Sequence, residues 1–316
     1  MTRIDLHTHV LPEPYLERLR LPDGSPFPIP PAPLEGLEAT MERYEIDAAV
    51  ISTGPPGAFG GAPAGAAALA RVANESIAEI VRDAPARFAG LAIVPLPDIE
   101  ASLTELAYGL DELGLDGVLL LTNVGGTYLG DPAWDALFDE LDRRSAYVFV
   151  HPTFPPHPLP VPQHPPWLYE FPFETTRAAA QLIYSGTLER CANVRIQLSH
   201  LGGTAPFLAH RIASLEARAP ELATGAPAGA LTYLRRFYYD TGLSNHAPGL
   251  AATLEVTSLD HVVFGTDWPY ADLPAEPGDP APELAWLAPD DRARVEAANA
   301  LALVPRFAPL VAGQAA

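Results

Sequence analysis

Eight short apolar runs, rich in Val, Ile, Leu and Phe, recur along this chain, separated by longer segments whose apolar residues fall three and four apart. Short runs without polar alternation suit strands buried on both faces, and helix-length connections suit parallel pairing. The pattern predicts strands over residues 3–7, 47–52, 88–94, 117–121, 147–151, 195–199, 237–240 and 261–265. Eight such strands in 316 residues point to a closed (β/α)8 barrel, distorted by insertions, that takes up residues 1–316 as a single domain. An open doubly wound sheet would carry a glycine-rich phosphate turn after its first strand. That position reads His7-Thr8-His9 instead.

The intervening segments predict helices over 66–84, 101–113, 132–144 and 175–191, with Asp131 as the N-cap of the third and Pro132 in its first turn. Proline-rich stretches at 21–33 and 152–166 follow strands 1 and 5, and a small-residue loop at 54–65 follows strand 2. The two proline-rich stretches read as insertions near 21–33 and 152–170. In a barrel such loops form the C-terminal mouth, where substrates bind.

Composition removes whole classes of function. The formal net charge is −20, which offers no cationic surface to nucleic acid or to an anionic membrane. All 19 basic residues are Arg. A Schiff-base lysine, a pyridoxal-phosphate lysine, a P-loop lysine and a carboxylated lysine bridging two metals are therefore excluded. Cys191 is the only cysteine, so there is no intrachain disulfide framework and no cysteine-based zinc site. No apolar run reaches membrane-spanning length, and the first residues lack a signal-peptide core. A cytoplasmic enzyme is the expectation.

The residues able to hold a metal sit at the C-terminal ends of the predicted strands. His7 and His9 close strand 1, His151 closes strand 5, His200 follows strand 6, Asp240 closes strand 7 and Asp267 follows strand 8. In a parallel barrel those ends converge on one mouth. Residues two apart on an extended segment face the same side, so His7 and His9 present two imidazoles to one point. His151 and Asp267 would complete a mixed nitrogen and oxygen set for one divalent ion, with Zn²⁺ expected and Mn²⁺ the alternative.

Ile4-Asp5-Leu6-His7-Thr8-His9 resembles the opening of the amidohydrolase superfamily. Ser199-His200-Leu201-Gly202-Gly203, followed by Pro206-Phe207 and Arg211-Ile212, resembles its amidohydrolase-2 branch, the aminocarboxymuconate-semialdehyde decarboxylase family. So does Phe264-Gly265-Thr266-Asp267-Trp268-Pro269-Tyr270. Phe149-Val150-His151-Pro152 and Phe171-Pro172-Phe173-Glu174-Thr175-Thr176-Arg177 are similar to the members that decarboxylate 6-methylsalicylate and related hydroxybenzoates.

This resemblance implies that His7, His9, His151 and Asp267 bind a single metal and that His200 is the catalytic histidine beside it. It implies Arg211 as the partner of a substrate carboxylate, in some members across a subunit interface, and hence a homodimer or homotetramer. The implied reaction is non-oxidative decarboxylation of a small aromatic acid of the 2-hydroxybenzoate type, such as 6-methylsalicylate or orsellinate. Asp267 would deliver a proton to the ring carbon that carries the carboxylate. Phe154, Trp167, Tyr169 and Trp268 are expected to line the substrate pocket. Asp240 is expected at the same mouth, orienting His200 or satisfying backbone donors. The same constellation suits hydrolysis of a lactone, amide or ester, with Asp267 as general base toward a metal-activated water. The motif residues do not separate these two reactions. Residues 21–33 match no motif of the family.

Overall fold

A computed structural model of the chain describes residues 2–59, 65–159, 161–214 and 217–312. Its eight main strands are β1 (Ile4–His9), β2 (Ala48–Ser52), β3 (Phe88–Ile93), β4 (Gly117–Leu121), β5 (Tyr147–His151), β6 (Arg195–Leu198), β7 (Tyr238–Asp240) and β8 (Val262–Val263). They lie side by side in chain order and every pairing is parallel. Backbone bonds close the sheet where β1 meets the end of the chain's last strand. Leu6 N–H donates to Phe264 (2.9 Å), Asp267 N–H to His7 (2.8 Å) and His9 N–H to Trp268 (2.8 Å). The result is the predicted (β/α)8 barrel, nearly closed.

Strand 1 runs to His9, two residues beyond the expectation, because the seam continues to recruit its backbone. Strand 8 shrinks to two residues, since the turn Leu259–His261 occupies its expected start. The predicted helix at 66–84 is Ala66–Asp83. The one at 101–113 begins at Ile99 and changes at Tyr108 to a π-helical turn, Tyr108–Glu112. Asp131 does cap a helix, accepting from Ala133 N–H at 2.9 Å, but the first three residues, Pro132–Trp134, form a 3-10 turn before the α-helix Asp135–Arg143. The expected 175–191 helix is two pieces, Glu170–Tyr184 and Thr187–Arg190, parted at Gly186, whose φ of 82° ends the first. Its earlier start is compatible with Pro172, because an N–H in the first turn has no helical partner to lose.

Several elements had no sequence expectation, among them the helices Leu34–Arg43, Ala205–Ser214, Ala247–Leu254 and Pro289–Glu296 and one small hairpin. Asn123–Val124 pairs antiparallel with Thr127–Tyr128 in a small hairpin directly after β4. In the loop after β2, residues 60–64 lie outside the described residues, as does residue 160 in the loop after β5. The latter loop carries a short turn, Pro166–Leu168.

Strand alternation sets what faces the barrel interior. In β5, Val148 and Val150 join Leu137, Phe138 and Leu141 of the neighbouring helix in one apolar cluster. Tyr147 and Phe149 belong to a second cluster, and the Phe149 ring meets the His7 ring at 4.8 Å. Burying each such large apolar side chain contributes roughly 1.5–3 kcal/mol. His151, next in the same alternation, therefore emerges at the top of the barrel beside His7. No helix among the described residues is long and apolar enough to cross a membrane.

Candidate metal centre

His7, His9, His151 and Asp267 come together at the barrel mouth, and their ligand atoms all lie within 4.8 Å of one another. All four are buried. Each histidine is held by its Nδ1. His7 Nδ1 faces Asp240 Oδ1 at 3.1 Å, and His151 Nδ1 faces the Pro152 carbonyl at 2.7 Å. His9 Nδ1 faces the Ser52 hydroxyl at 3.1 Å, and that hydroxyl already donates to the Thr8 carbonyl. These partners accept, so each Nδ1 carries a proton, and in the neutral ring each Nε2 keeps a lone pair aimed into the cluster. The Nε2 atom of His151 is buried without any hydrogen-bond partner, and that of His7 makes no well-aligned hydrogen bond although Asp267 Oδ1 lies 3.1 Å away. Buried polar atoms left in that state signal a missing ligand, and three convergent imidazole lone pairs beside a carboxylate are a divalent-metal donor set.

Electrostatics fit the same reading. Burial opposes a charge on His7, yet Asp240 and Asp267 outweigh it and push its pKa up to about 10. Burial lowers His9, and burial together with the neighbouring histidines holds His151 well below the ordinary range. Burial works against the Asp267 carboxylate too, but His7 and the bonds from His200 and His9 hold it well below the usual range. Without an ion, the two carboxylates would keep a proton on His7, in the place where an ion would bring its positive charge. Metal uptake below about pH 10 must therefore expel that proton, so affinity rises with pH, about tenfold per unit, until His7 is already neutral. Calorimetry in two buffers of different ionisation enthalpy is expected to show about one proton released per ion at pH 8. An affinity that is flat between pH 7 and 9 would overturn this assignment.

Asp267 divides its two oxygens. Oδ1 lies 3.1 Å from both His7 Nε2 and His9 Nε2, whereas Oδ2 lies 3.1 Å from His200 Nε2. His200 (φ 56°) and Asp267 (φ 66°) both adopt left-handed backbone. Such conformations cost about 1–3 kcal/mol each in a non-glycine residue and persist only where the surroundings enforce them.

Asp240, expected at the mouth, stands behind His7 and satisfies backbone donors, and further supporting residues were not singled out by sequence. Asp240 is fully buried, and besides His7 it accepts from the backbone N–H groups of His200 and Gly242, both at 3.0 Å. Gln197 donates to its other oxygen at 2.7 Å, and the Tyr147 hydroxyl donates to Gln197 at 2.7 Å. A buried polar chain thus runs from Tyr147 through Gln197 and Asp240 to His7. Asp5 accepts from His7 N–H, Thr266 N–H and the Thr266 hydroxyl, tying β1 to the segment that carries Asp267; its burial pushes its pKa up to about 7. The only sequence signal for Gln197 is a polar residue at an interior position of an apolar run. Tyr270, whose ring meets His9 at 5.6 Å, adds an aromatic beside the cluster.

The remaining expected site residues are spread more widely. Phe154 packs on Phe171 at 5.9 Å, and Phe171 in turn reaches the His151 ring at 6.5 Å. Trp167 is exposed on the short turn after β5, and the Tyr169 hydroxyl pairs with His164. Trp268 lies over Gly36, where an added Cβ would be 3.0 Å from the indole. Arg211 is exposed on the helix Ala205–Ser214, on one face with Phe207, and makes no ion pair among the described residues.

The sequence pattern of one protein family, described as amidohydrolase, matches residues 4–306. The 6-methylsalicylic acid decarboxylase of Aspergillus aculeatus is 37% identical over 284 residues, covering 85% of this chain and 84% of that protein. The enzyme of the same name from Penicillium expansum is 36% identical, covering 86% of each. Among solved structures, a protein described as amidohydrolase II superposes with a TM-score of 0.82 at 25% identity, covering 95% of this chain and 99% of that one. Pattern, relatives and superposition span the barrel from β1 past the Asp267 segment, and the chain belongs to the amidohydrolase family.

Proposed function

We propose that this chain is a metal-dependent, non-oxidative decarboxylase, a carboxy-lyase, acting on a small aromatic acid of the 2-hydroxybenzoate type such as 6-methylsalicylate or orsellinate. The observation that carries the reading is the division of Asp267, with one oxygen among the histidine nitrogens and the other on His200. Similarity to the two 6-methylsalicylic acid decarboxylases supports it over hydrolysis.

His7, His9, His151 and Asp267 would hold one divalent ion, Zn²⁺ by the donor set with Mn²⁺ as the alternative. When bound, the ion would supply positive charge that attracts the acid and draws negative charge out of the ring. Asp267 Oδ2 and His200 Nε2, 3.1 Å apart, share the proton and pass it to the ring carbon that bears the carboxylate. The carbon–carbon bond then breaks, its electron pair restores the aromatic ring, and the carboxylate leaves as CO₂. One proton is consumed and no electron acceptor is needed. Asp240 holds His7 from behind and the backbone of His200 from the side, so both act from fixed positions. Burial of the four clustered groups keeps water from screening these charges.

Arg211 would meet a substrate carboxylate from a second copy of the chain, as part of a homodimer or homotetramer. Its exposure beside Phe207, itself 81% exposed, supports that arrangement. Phe154 and Phe171 would form the aromatic wall nearest His151, with Trp167, Tyr169 and Trp268 farther along it. The lone cysteine, Cys191, is free and buried, which suits the reducing cytoplasm.

Incubation of the purified protein with a panel of 2-hydroxybenzoic acids, with CO₂ followed directly, tests the reading. Release from at least one acid is the expected result. Turnover of lactones or esters with no CO₂ from any acid would establish the hydrolase instead.

A further inference from the structure

The segment Phe171-Pro172-Phe173-Glu174-Thr175-Thr176-Arg177 opens the helix Glu170–Tyr184, and the chemistry above leaves Glu174 and Thr176 without a role. Both are buried polar residues on a helix outside the barrel wall. We infer that Thr176 is a positioning residue whose hydroxyl holds the strained loop that presents His200 to Asp267.

The loop after β6 needs such a hold. His200, Leu201, Gly202 and Gly203 all have positive φ, from 50° to 73°, and two of the four are not glycine. Its front end is fixed by Asp240, which accepts from His200 N–H at 3.0 Å. Its back end is fixed by Thr176. The Thr176 Oγ1 accepts from Thr204 N–H at 2.9 Å and lies 2.8 Å from the Thr204 hydroxyl, while it donates to the Pro172 carbonyl at 2.8 Å. Gly203 packs so closely on that same Pro172 carbonyl that a Cβ there would collide with it. The loop is thus clamped between the buried carboxylate of β7 and one turn of helix.

That turn is itself fixed. Glu174 is fully buried, yet its carboxylate is saturated. Tyr128 (2.7 Å) and Arg177 (2.6 Å) donate to Oε1, and Asn123 (2.9 Å) donates to Oε2. Asn123 also donates to the Phe154 carbonyl at 3.1 Å, so the helix start is bound to the hairpin after β4 and to the loop after β5. A hydroxyl on a turn held this way is a rigid stop for a neighbouring loop.

The inference rests on the decarboxylase reading only for its kinetic arm. Thr176→Val is nearly isosteric and leaves every clustered metal-binding group untouched. Amide exchange in the 199–206 segment of the Val variant is expected to quicken by about tenfold or more. In turnover, kcat is expected to fall by about tenfold to a hundredfold, with KM and bound metal unchanged. Thr176→Ser keeps the hydroxyl and is expected to restore both readings. Thr176→Ala, which removes the hydroxyl without added bulk, repeats the test should valine destabilise the helix. Unchanged exchange, loss of metal together with kcat, or a serine variant as impaired as the valine one would each overturn the inference. If the wild-type protein decarboxylates no aromatic acid, the functional reading fails, while exchange alone still decides whether Thr176 holds the loop.

Discussion

Asp267→Asn is expected to lower CO₂ release by at least about a thousandfold while leaving the barrel folded. General acid–base groups are worth about 10²–10⁴ in rate, and in the proposed centre this residue would also hold the metal. Asparagine keeps the size and one oxygen of the side chain but cannot carry a transferable proton. It also removes one of the two negative charges that, with Asp240 the larger, push His7 up to about 10, so His7 in the variant is expected to give up its proton at lower pH. Rate, metal content and secondary structure measured on one preparation separate the possibilities. A variant that retains metal but not rate assigns the proton to this carboxylate. A variant that keeps more than about a tenth of the wild-type rate would remove Asp267 from the proton path.

Stripping the metal by a chelator is expected to abolish turnover, with recovery on adding back Zn²⁺ or Mn²⁺. His7→Ala is expected to prevent that recovery. Its loss takes away one convergent imidazole and leaves Asp240 buried with its partner gone, so the fall in affinity is expected to exceed the roughly 10–100-fold cost of losing an outer-sphere partner alone. Stability offers a second reading. An ion held at a hundred times its dissociation constant adds about 2.7 kcal/mol to the folded state, so the stripped protein should melt about 5 °C lower. Full activity in protein shown to contain no metal would overturn the assignment of the whole centre.

How much of this was legible from residues alone varies by element and for physical reasons. β4 and β5 matched residue for residue, because each is an uninterrupted apolar run bounded by polar or small residues. The grouping of His7, His9, His151 and Asp267 was legible because a parallel barrel brings all strand C-termini to one rim. The hairpin at residues 123–128 was not, since two-residue strands are too short to show alternation. The π turn at Tyr108–Glu112 hid inside a helical pattern, where one extra residue per turn shifts spacing too little to notice. Gln197 and Glu174 were invisible for another reason. Each is polar at a position that looks like core or like a solvated helix face, and only the partners that saturate it explain its burial. Left-handed backbone at His200 likewise leaves no readable trace in the sequence, since histidine, though enriched at positive φ, is far more often found in ordinary backbone.

The seam of the barrel has a consequence for how the protein comes into being. His9 and Asp267 stand 258 positions apart along the chain, yet they face each other across the join between the first and last strands. No partly synthesised chain can offer the full set of four donors, because the carboxylate is among the last portions of the barrel to leave the ribosome. An ion held by all four groups would be captured at full strength only after the sheet has closed, and it would then tie the opening strand to the final one. A barrel joined in the wrong register would present the three imidazoles without the carboxylate opposite them and would hold such an ion less well.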